Sequence, residues 1–141
     1  MEDDISNLLS LGDFICDAMA AVYNDTTISF QNNGGIRAPF PVGNITYEDV
    51  LEVLPFDNTV DYVTMNGTGL KQSLENSAAQ ISYEDVYEYP GFGIQVSGLR
   101  FTINVLPDNQ NSRITDLEVK NTNGSYSDVD LEQIYYIALP R

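Results

Sequence analysis

The sequence predicts an α+β domain, and three observations carry that prediction. Two segments before Ile81 repeat apolar residues at the three- and four-residue spacing of a helix. Beyond Ile94 the chain turns to apolar or alternating runs of strand length. Helices first and antiparallel-looking strands last is the order of an α+β fold, with amphipathic helices packed on a mixed or antiparallel sheet, rather than of a doubly wound parallel sheet. At 141 residues the chain fits a single domain, which buries roughly two-thirds of the surface its unfolded form exposes.

Each element has its own signal. From Ile5 to Val22, the residues Ile5, Leu8, Leu11, Ile15, Ala18, Met19 and Val22 form one apolar helix face that should pack on a sheet. Asn24-Asp25 ends this helix, and Thr27-Ile28-Ser29-Phe30 reads as a short strand. The strand runs into the polar stretch Gln31-Asn32-Asn33-Gly34-Gly35, a loop that Arg37 closes. Pro39 and Pro41 hold an extended connection, because proline fixes φ and biases its predecessor away from helix.

Thr46 with Asp49 three residues on is a near capping box, opening a short helix through Val53 that stops at Leu54-Pro55, directly before Phe56. Val60 to Met65 reads as a strand and Asn66-Gly67 as a tight turn. Gly69 to Gln80 follows as a second amphipathic helix, with Leu70, Leu74 and Ser77-Ala78 inward. Tyr83 to Phe92, acidic and tyrosine-rich around Pro90-Gly91, reads as a loop. Ile94–Val96, Leu99–Val105, Ile114–Val119 and Ile134–Leu139 are the later strands, with turns at Pro107-Asp108-Asn109 and Asn121-Thr122-Asn123-Gly124.

Composition narrows the chemistry. With 21 acidic side chains against 6 basic ones and no histidine, the formal charge is −15. Such a surface repels nucleic-acid polymers and anionic membrane surfaces. Without histidine there is no Ser–His–Asp relay, imidazole ligand or imidazole base. No apolar run approaches the ~18 residues of a membrane span, and Met1-Glu2-Asp3-Asp4 is the opposite of a cationic signal-peptide start. The chain therefore reads as a mature piece of a longer protein. Cys16, the single cysteine, lies in an apolar run and is expected to be a buried structural thiol. Asn24, Asn44, Asn66 and Asn123 each head an Asn-x-Ser/Thr sequon, so an extracellular origin is expected.

One constellation carries chemistry. Arg37 lies just beyond Gly34-Gly35, where bare backbone lets N–H groups approach a ligand and a guanidinium grips an anion with two parallel bonds. Asn32 adds an amide that donates and accepts. Equally, Asn-Asn-Gly-Gly is a tight turn, and Arg37 has 21 carboxylates to pair with. Phe56 is an aromatic at a polar loop edge, placed to stack on a base or to fill a core. Paired carboxylates such as Asp3-Asp4 and Glu84-Asp85 have no metal or acid–base spacing, and no Asp-x-Asp-x-Asp-Gly calcium loop occurs.

The strings Gly12-Asp13-Phe14-Ile15-Cys16-Asp17-Ala18-Met19, Asn32-Asn33-Gly34-Gly35-Ile36-Arg37, Ile45-Thr46-Tyr47-Glu48-Asp49-Val50, Leu54-Pro55-Phe56 and Gly69-Leu70-Lys71 together resemble the C-terminal domain of the 5'-nucleotidase family, which includes ecto-5'-nucleotidases, UDP-sugar hydrolases and salivary apyrases. The resemblance runs from about residue 11 to residue 139, in order. It implies a nucleotide-recognition domain, with two divalent metal ions held in a separate N-terminal metallophosphoesterase domain. By that resemblance Asn32 contacts the base, Arg37 the phosphates or neighbouring oxygens, and Phe56 one face of a purine, while Gly34 and Gly35 shape the loop.

Two departures stand beside these matches. Family members carry a further substrate-binding arginine shortly before the position of Gly12, but Ser6 to Leu11 contains no cation. They also carry a Gly-Gly-Asp-Gly-Phe/Tyr segment after the last strand, where this sequence reads Leu139-Pro140-Arg141. The expectation is a domain that recognises a nucleotide or nucleoside weakly, is not catalytic alone, and works at the cell surface or outside the cell. The alternative is a secreted interaction or structural protein that keeps the fold without nucleotide binding.

Overall fold

The computed structural model describes residues 3–23, 28–81, 93–104 and 112–141, with side chains from residue 10 onward. Helix α1 spans Asp3–Ala20 and buries Leu11, Ile15, Cys16 and Met19. Ala18 and Val22 do not join that face. Ala18 lies on the exposed side of the helix, Val22 falls beyond its end, and Cys16 completes the stripe instead. Burial of Cys16 pushes its thiol up to about 12.

Strand β1, Ile28–Asn32, extends two residues further than its apolar signal and leads into a single 3-10 turn, Asn33–Gly35. Helix α2, Tyr47–Val53, has the predicted cap: Asp49 N donates to Thr46 Oγ1 (3.3 Å), and Thr46 N donates to Asp49 Oδ2 (2.6 Å). The Thr46 hydroxyl, followed by its amide, holds the Asp49 carboxyl below its ordinary value.

Strand β2, Val60–Asn66, runs straight into helix α3, Gly67–Ala78, so Asn66-Gly67 is a strand–helix junction and not a turn. The same residue type serves both purposes. Asn66 Oδ1 accepts from Gly69 N at 2.9 Å as an N-cap. A Cβ at Gly67 would sit 2.2 Å from the Asp130 carbonyl, which is why glycine starts this helix.

The later strands are β3 (Ile94–Ser97), β4 (Leu99–Ile103), β5 (Ile114–Lys120), β6 (Tyr126–Asp128) and β7 (Ile134–Pro140). They divide between two sheets. One has the order β2-β7-β1-β3, with β7 parallel to β1 and the other pairs antiparallel; the other is the antiparallel β4-β5-β6. Gly98, at φ 76°, is the corner where the chain leaves one sheet for the other. Strand β6 has a half-buried Tyr126 followed by two exposed residues and carries no apolar run in the sequence. The Asn121–Gly124 turn joins β5 to β6. The predicted Tyr83–Phe92 loop and Pro107–Asn109 turn lie outside the described residues.

Ile28 and Phe30 of β1 face a core completed by Leu70, Leu74, Ile114 and Ile137. The opposite face of β1 looks toward α1 and is polar. Ser29 Oγ donates to the Cys16 carbonyl at 2.5 Å, and Gln31 of β1 stands opposite Gln95 of β3, each only 3% exposed. Helix α3 is tied to β5 by Glu75, whose carboxylate accepts from Arg113 N (2.7 Å), Ile114 N (3.1 Å) and Ser112 Oγ (3.1 Å). Arg113 Nη1 returns the contact, donating to the carbonyls of Ala78 and Ile81 at 3.1 Å each. Burial pushes the Glu75 carboxyl up, but the two amides and the hydroxyl outweigh it and leave the group below its ordinary value.

Candidate functional site

The loop after β1 is fixed from three sides. Asn33 N donates to the Gly93 carbonyl (2.8 Å), Ile36 N to the Asn33 carbonyl (3.0 Å), and Arg37 N to the Val53 carbonyl at the end of α2 (2.9 Å). Asn33 is buried, and its Oδ1 accepts from Gln95 Nε2 at 2.5 Å. Gln95 has room because residue 12 on α1 is glycine: a Cβ there would lie 2.4 Å from Gln95 Cγ. Gln31 Nε2 donates to the Asn32 carbonyl (3.0 Å) and to Asn32 Oδ1 (3.2 Å). Gly35 leaves space for the Gln31 amide: a Cβ would lie 2.2 Å from Gln31 Nε2, so the end of the glutamine would have to move.

A cleft of about 200 Å³ opens beside this loop, with Gln31, Gly35, Leu54, Phe56, Asp57 and Val60 in its walls. Ligand pockets for whole small molecules usually measure about 300–1,000 Å³, so this one has the size of a subsite for a ring. Phe56 is 55% exposed, unlike a core phenylalanine. The backbone of Asp57 turns at φ 51°, a left-handed conformation that an L residue adopts at a cost of about 1 kcal/mol or more. The end of the Asn58 side-chain amide lies 3.3 Å from the Phe56 carbonyl and 3.2 Å from the Arg141 carbonyl, and because a carbonyl only accepts, the amide nitrogen is the atom that belongs there and closes that turn.

Of the predicted site residues the structure brings Gly35 and Phe56 to one cleft; Asn32, next to Gly35, and Gly34, in the same 3-10 turn, do not line it. Arg37 belongs to the same loop, but its exposed side chain folds back and Nη1 donates to the Gly34 carbonyl at 3.3 Å. Among the described residues no carboxylate pairs with it. A larger groove of about 610 Å³ between α1 and residues 39–50 is lined by apolar side chains apart from Ser10, and so offers no catalytic group.

Among the described residues metal chemistry finds no donor set. The chain has no histidine, and among the described residues no group of three or more Cys, Asp or Glu converges on one point. The described residues therefore do not fit a two-metal centre. Asp13 on α1 is raised by burial and then by the neighbouring charge of Asp17, which reflects packing beside α1 rather than a reactive pair. Among the described residues no helix is long and apolar enough to cross a membrane.

Of the four sequons, Asn24 lies outside the described residues. Asn44 is exposed in the α2 approach, Asn66 caps α3, and Asn123 is exposed at the β5–β6 turn. There Asn123 Oδ1 accepts from both Ser125 N (2.9 Å) and Ser125 Oγ (2.7 Å). Gln31, Gln95 and Asp57 were not legible as parts of the site. Two glutamines in strand-like sequence carry no chemical signal of their own, and only the pairing of β1 with β3 sets them beneath the loop.

The family model described as "5'-nucleotidase, C-terminal domain" matches residues 5–141. The 5'-nucleotidase of Bos taurus is 30% identical over 93% of this chain, and the snake venom 5'-nucleotidase of Macrovipera lebetinus is 31% identical over 93%. A solved structure of a 5'-nucleotidase precursor from Thermus thermophilus superimposes with a TM-score of 0.80 at 39% identity over 92% of this chain. The chain spans 24%, 35% and 25% of those three proteins.

Proposed function

The chain belongs to the 5'-nucleotidase C-terminal domain family, and from that premise we propose that it is the nucleotide-recognition domain of a 5'-nucleotidase- or apyrase-like hydrolase, without catalytic activity of its own. One observation carries the reading: Gly35, in the loop that holds Asn32 and Arg37, and the exposed ring of Phe56 line one ring-sized cleft. In this reading Phe56 stacks on one face of a purine, Asn32 hydrogen-bonds the base, and Arg37 swings from the Gly34 carbonyl to the phosphates or neighbouring oxygens. Gly34 and Gly35 leave the backbone open to the ligand.

The hydrolytic step belongs to a separate N-terminal metallophosphoesterase domain whose two divalent metal ions activate water and neutralise phosphoryl charge. An extracellular or cell-surface setting is supported by the four sequons and by the venom relative. Calorimetric titration of the 141-residue chain with AMP and adenosine tests the reading. Weak binding that Arg37→Ala reduces for AMP, and Phe56→Ala reduces for both ligands, is expected. Micromolar binding untouched by either substitution would refute the site, and metal-dependent phosphatase activity of the purified chain would refute the non-catalytic role.

The second reading, a secreted interaction or structural protein that retains the fold, draws on the Arg37 side chain being satisfied within its own loop and on the lack of any cation from Ser6 to Leu11. Absence of binding by either ligand would favour it.

A further inference from the structure

We propose that Gln31 is a specificity-determining residue: it fixes the Asn32 side-chain amide so that its NH2 group faces outward, and the ligand must present a hydrogen-bond acceptor at that point. This rests on the proposed recognition of a purine by Asn32, and it decides which edge of the ring Asn32 reads.

The orientation follows from donor and acceptor chemistry alone. A backbone carbonyl can only accept, so the Gln31 side-chain atom 3.0 Å from the Asn32 carbonyl is the amide nitrogen, not the oxygen. That nitrogen can only donate. The Asn32 side-chain atom 3.2 Å from it is therefore Oδ1, and Nδ2 lies on the other side of the amide.

Gln31 has little freedom to rotate out of this arrangement. It is 3% exposed on the α1-facing side of β1, lines the cleft, and has its nitrogen in the space left by the missing side chain of Gly35. Asn32 itself is exposed at the end of the strand. A purine ring nitrogen satisfies its outward NH2, whereas an exocyclic amino group does not, because two donors would meet.

The test uses adenosine and its 1-, 3- and 7-deaza analogues, each of which replaces one ring nitrogen by C–H, with dissociation constants from NMR titration of the wild-type chain, Gln31→Leu and Asn32→Ala. One analogue should bind the wild-type chain roughly three- to tenfold more weakly than adenosine, the worth of one neutral hydrogen bond. In Gln31→Leu, where nothing holds the Asn32 amide, that gap should shrink to less than about twofold. A gap that persists unchanged in Gln31→Leu, or no discriminating analogue while Asn32→Ala still weakens adenosine, overturns the proposal and leaves nucleotide recognition standing. If adenosine does not bind the wild-type chain, the recognition reading fails, and the acceptor requirement fails with it. The orientation is judged independently of any ligand by side-chain amide exchange in the free protein. Gln31 Nε2 protons should exchange slowly and Asn32 Nδ2 protons fast; the reverse order refutes it.

Discussion

Replacing Gly12 with alanine sets two effects of opposite sign against each other. Inside a helix, glycine to alanine normally stabilises by roughly 0.5–1 kcal/mol, because alanine loses less backbone entropy. Here a Cβ at position 12 would meet Gln95 Cγ at 2.4 Å and both Cδ and Oε1 at 2.5 Å. Ordinary carbon contacts lie near 3.5–4 Å, so the glutamine must move by about 1 Å. It is buried, it is carried on a paired strand, and its amide holds Asn33 at 2.5 Å.

Overpacking of this kind costs about 1–3 kcal/mol, and loss of the bond to Asn33 adds about 1 kcal/mol. After the helix gain is subtracted, Gly12→Ala should destabilise by roughly 1–3 kcal/mol and lower Tm by roughly 3–10 °C. Urea unfolding and calorimetry read both quantities. The double variant with Gln95→Ala should be more stable than the sum of the single effects predicts, by about 1 kcal/mol or more. A Gly12→Ala chain as stable as the wild type or more so, or strict additivity in the double variant, would refute this account of the polar layer beneath the loop.

Glu75 should make stability fall in acid. Its folded-state carboxyl lies below its ordinary value, so its contribution is fully present above the unfolded-state value and is lost as pH drops through the folded one. Glu75→Gln should flatten the decline in urea midpoint between about pH 5 and pH 3, and a variant with an unchanged profile contradicts this. Cys16, with its thiol raised to about 12 by burial, should resist an aromatic disulfide reagent at mildly alkaline pH until the chain is unfolded. Labelling at the rate of a free thiol would show otherwise. At the β5–β6 turn, the Asx-turn of Asn123 with Ser125 presents an acceptor for N-glycosylation. Secretion from a eukaryotic host should give a glycosidase-sensitive mass shift that Asn123→Gln reduces, and an unchanged shift places the glycan elsewhere.

What the sequence disclosed, and what it withheld, divide along physical lines. Helices α1 and α2 were legible because an apolar stripe and a capping box are local signals. The Asn66-Gly67 pair was ambiguous by nature, since the residue that favours a tight turn also caps a helix, and only the packing of Gly67 against the Asp130 carbonyl selects the helix. The insertion of β7 between β2 and β1 depends on pairing over long separations, which no local pattern encodes. At the site, Arg37 and Phe56 stood out by type and surroundings. Gln31 and Gln95 did not, because a glutamine in a strand acquires meaning only from the partner that folding gives it.

The central claim is that the loop and Phe56 form one ligand site, and residue-resolved NMR with AMP tests it most directly, because it detects weak binding and locates it. Shift changes should cluster at Gln31, Asn32, Gly35, Arg37, Phe56 and Asp57, the residues of the loop and its cleft. Changes confined to another surface, such as the exposed Tyr62–Tyr136 pair beside Tyr23 on the α1-facing side of β2 and β7, or no changes at millimolar nucleotide, would contradict the account.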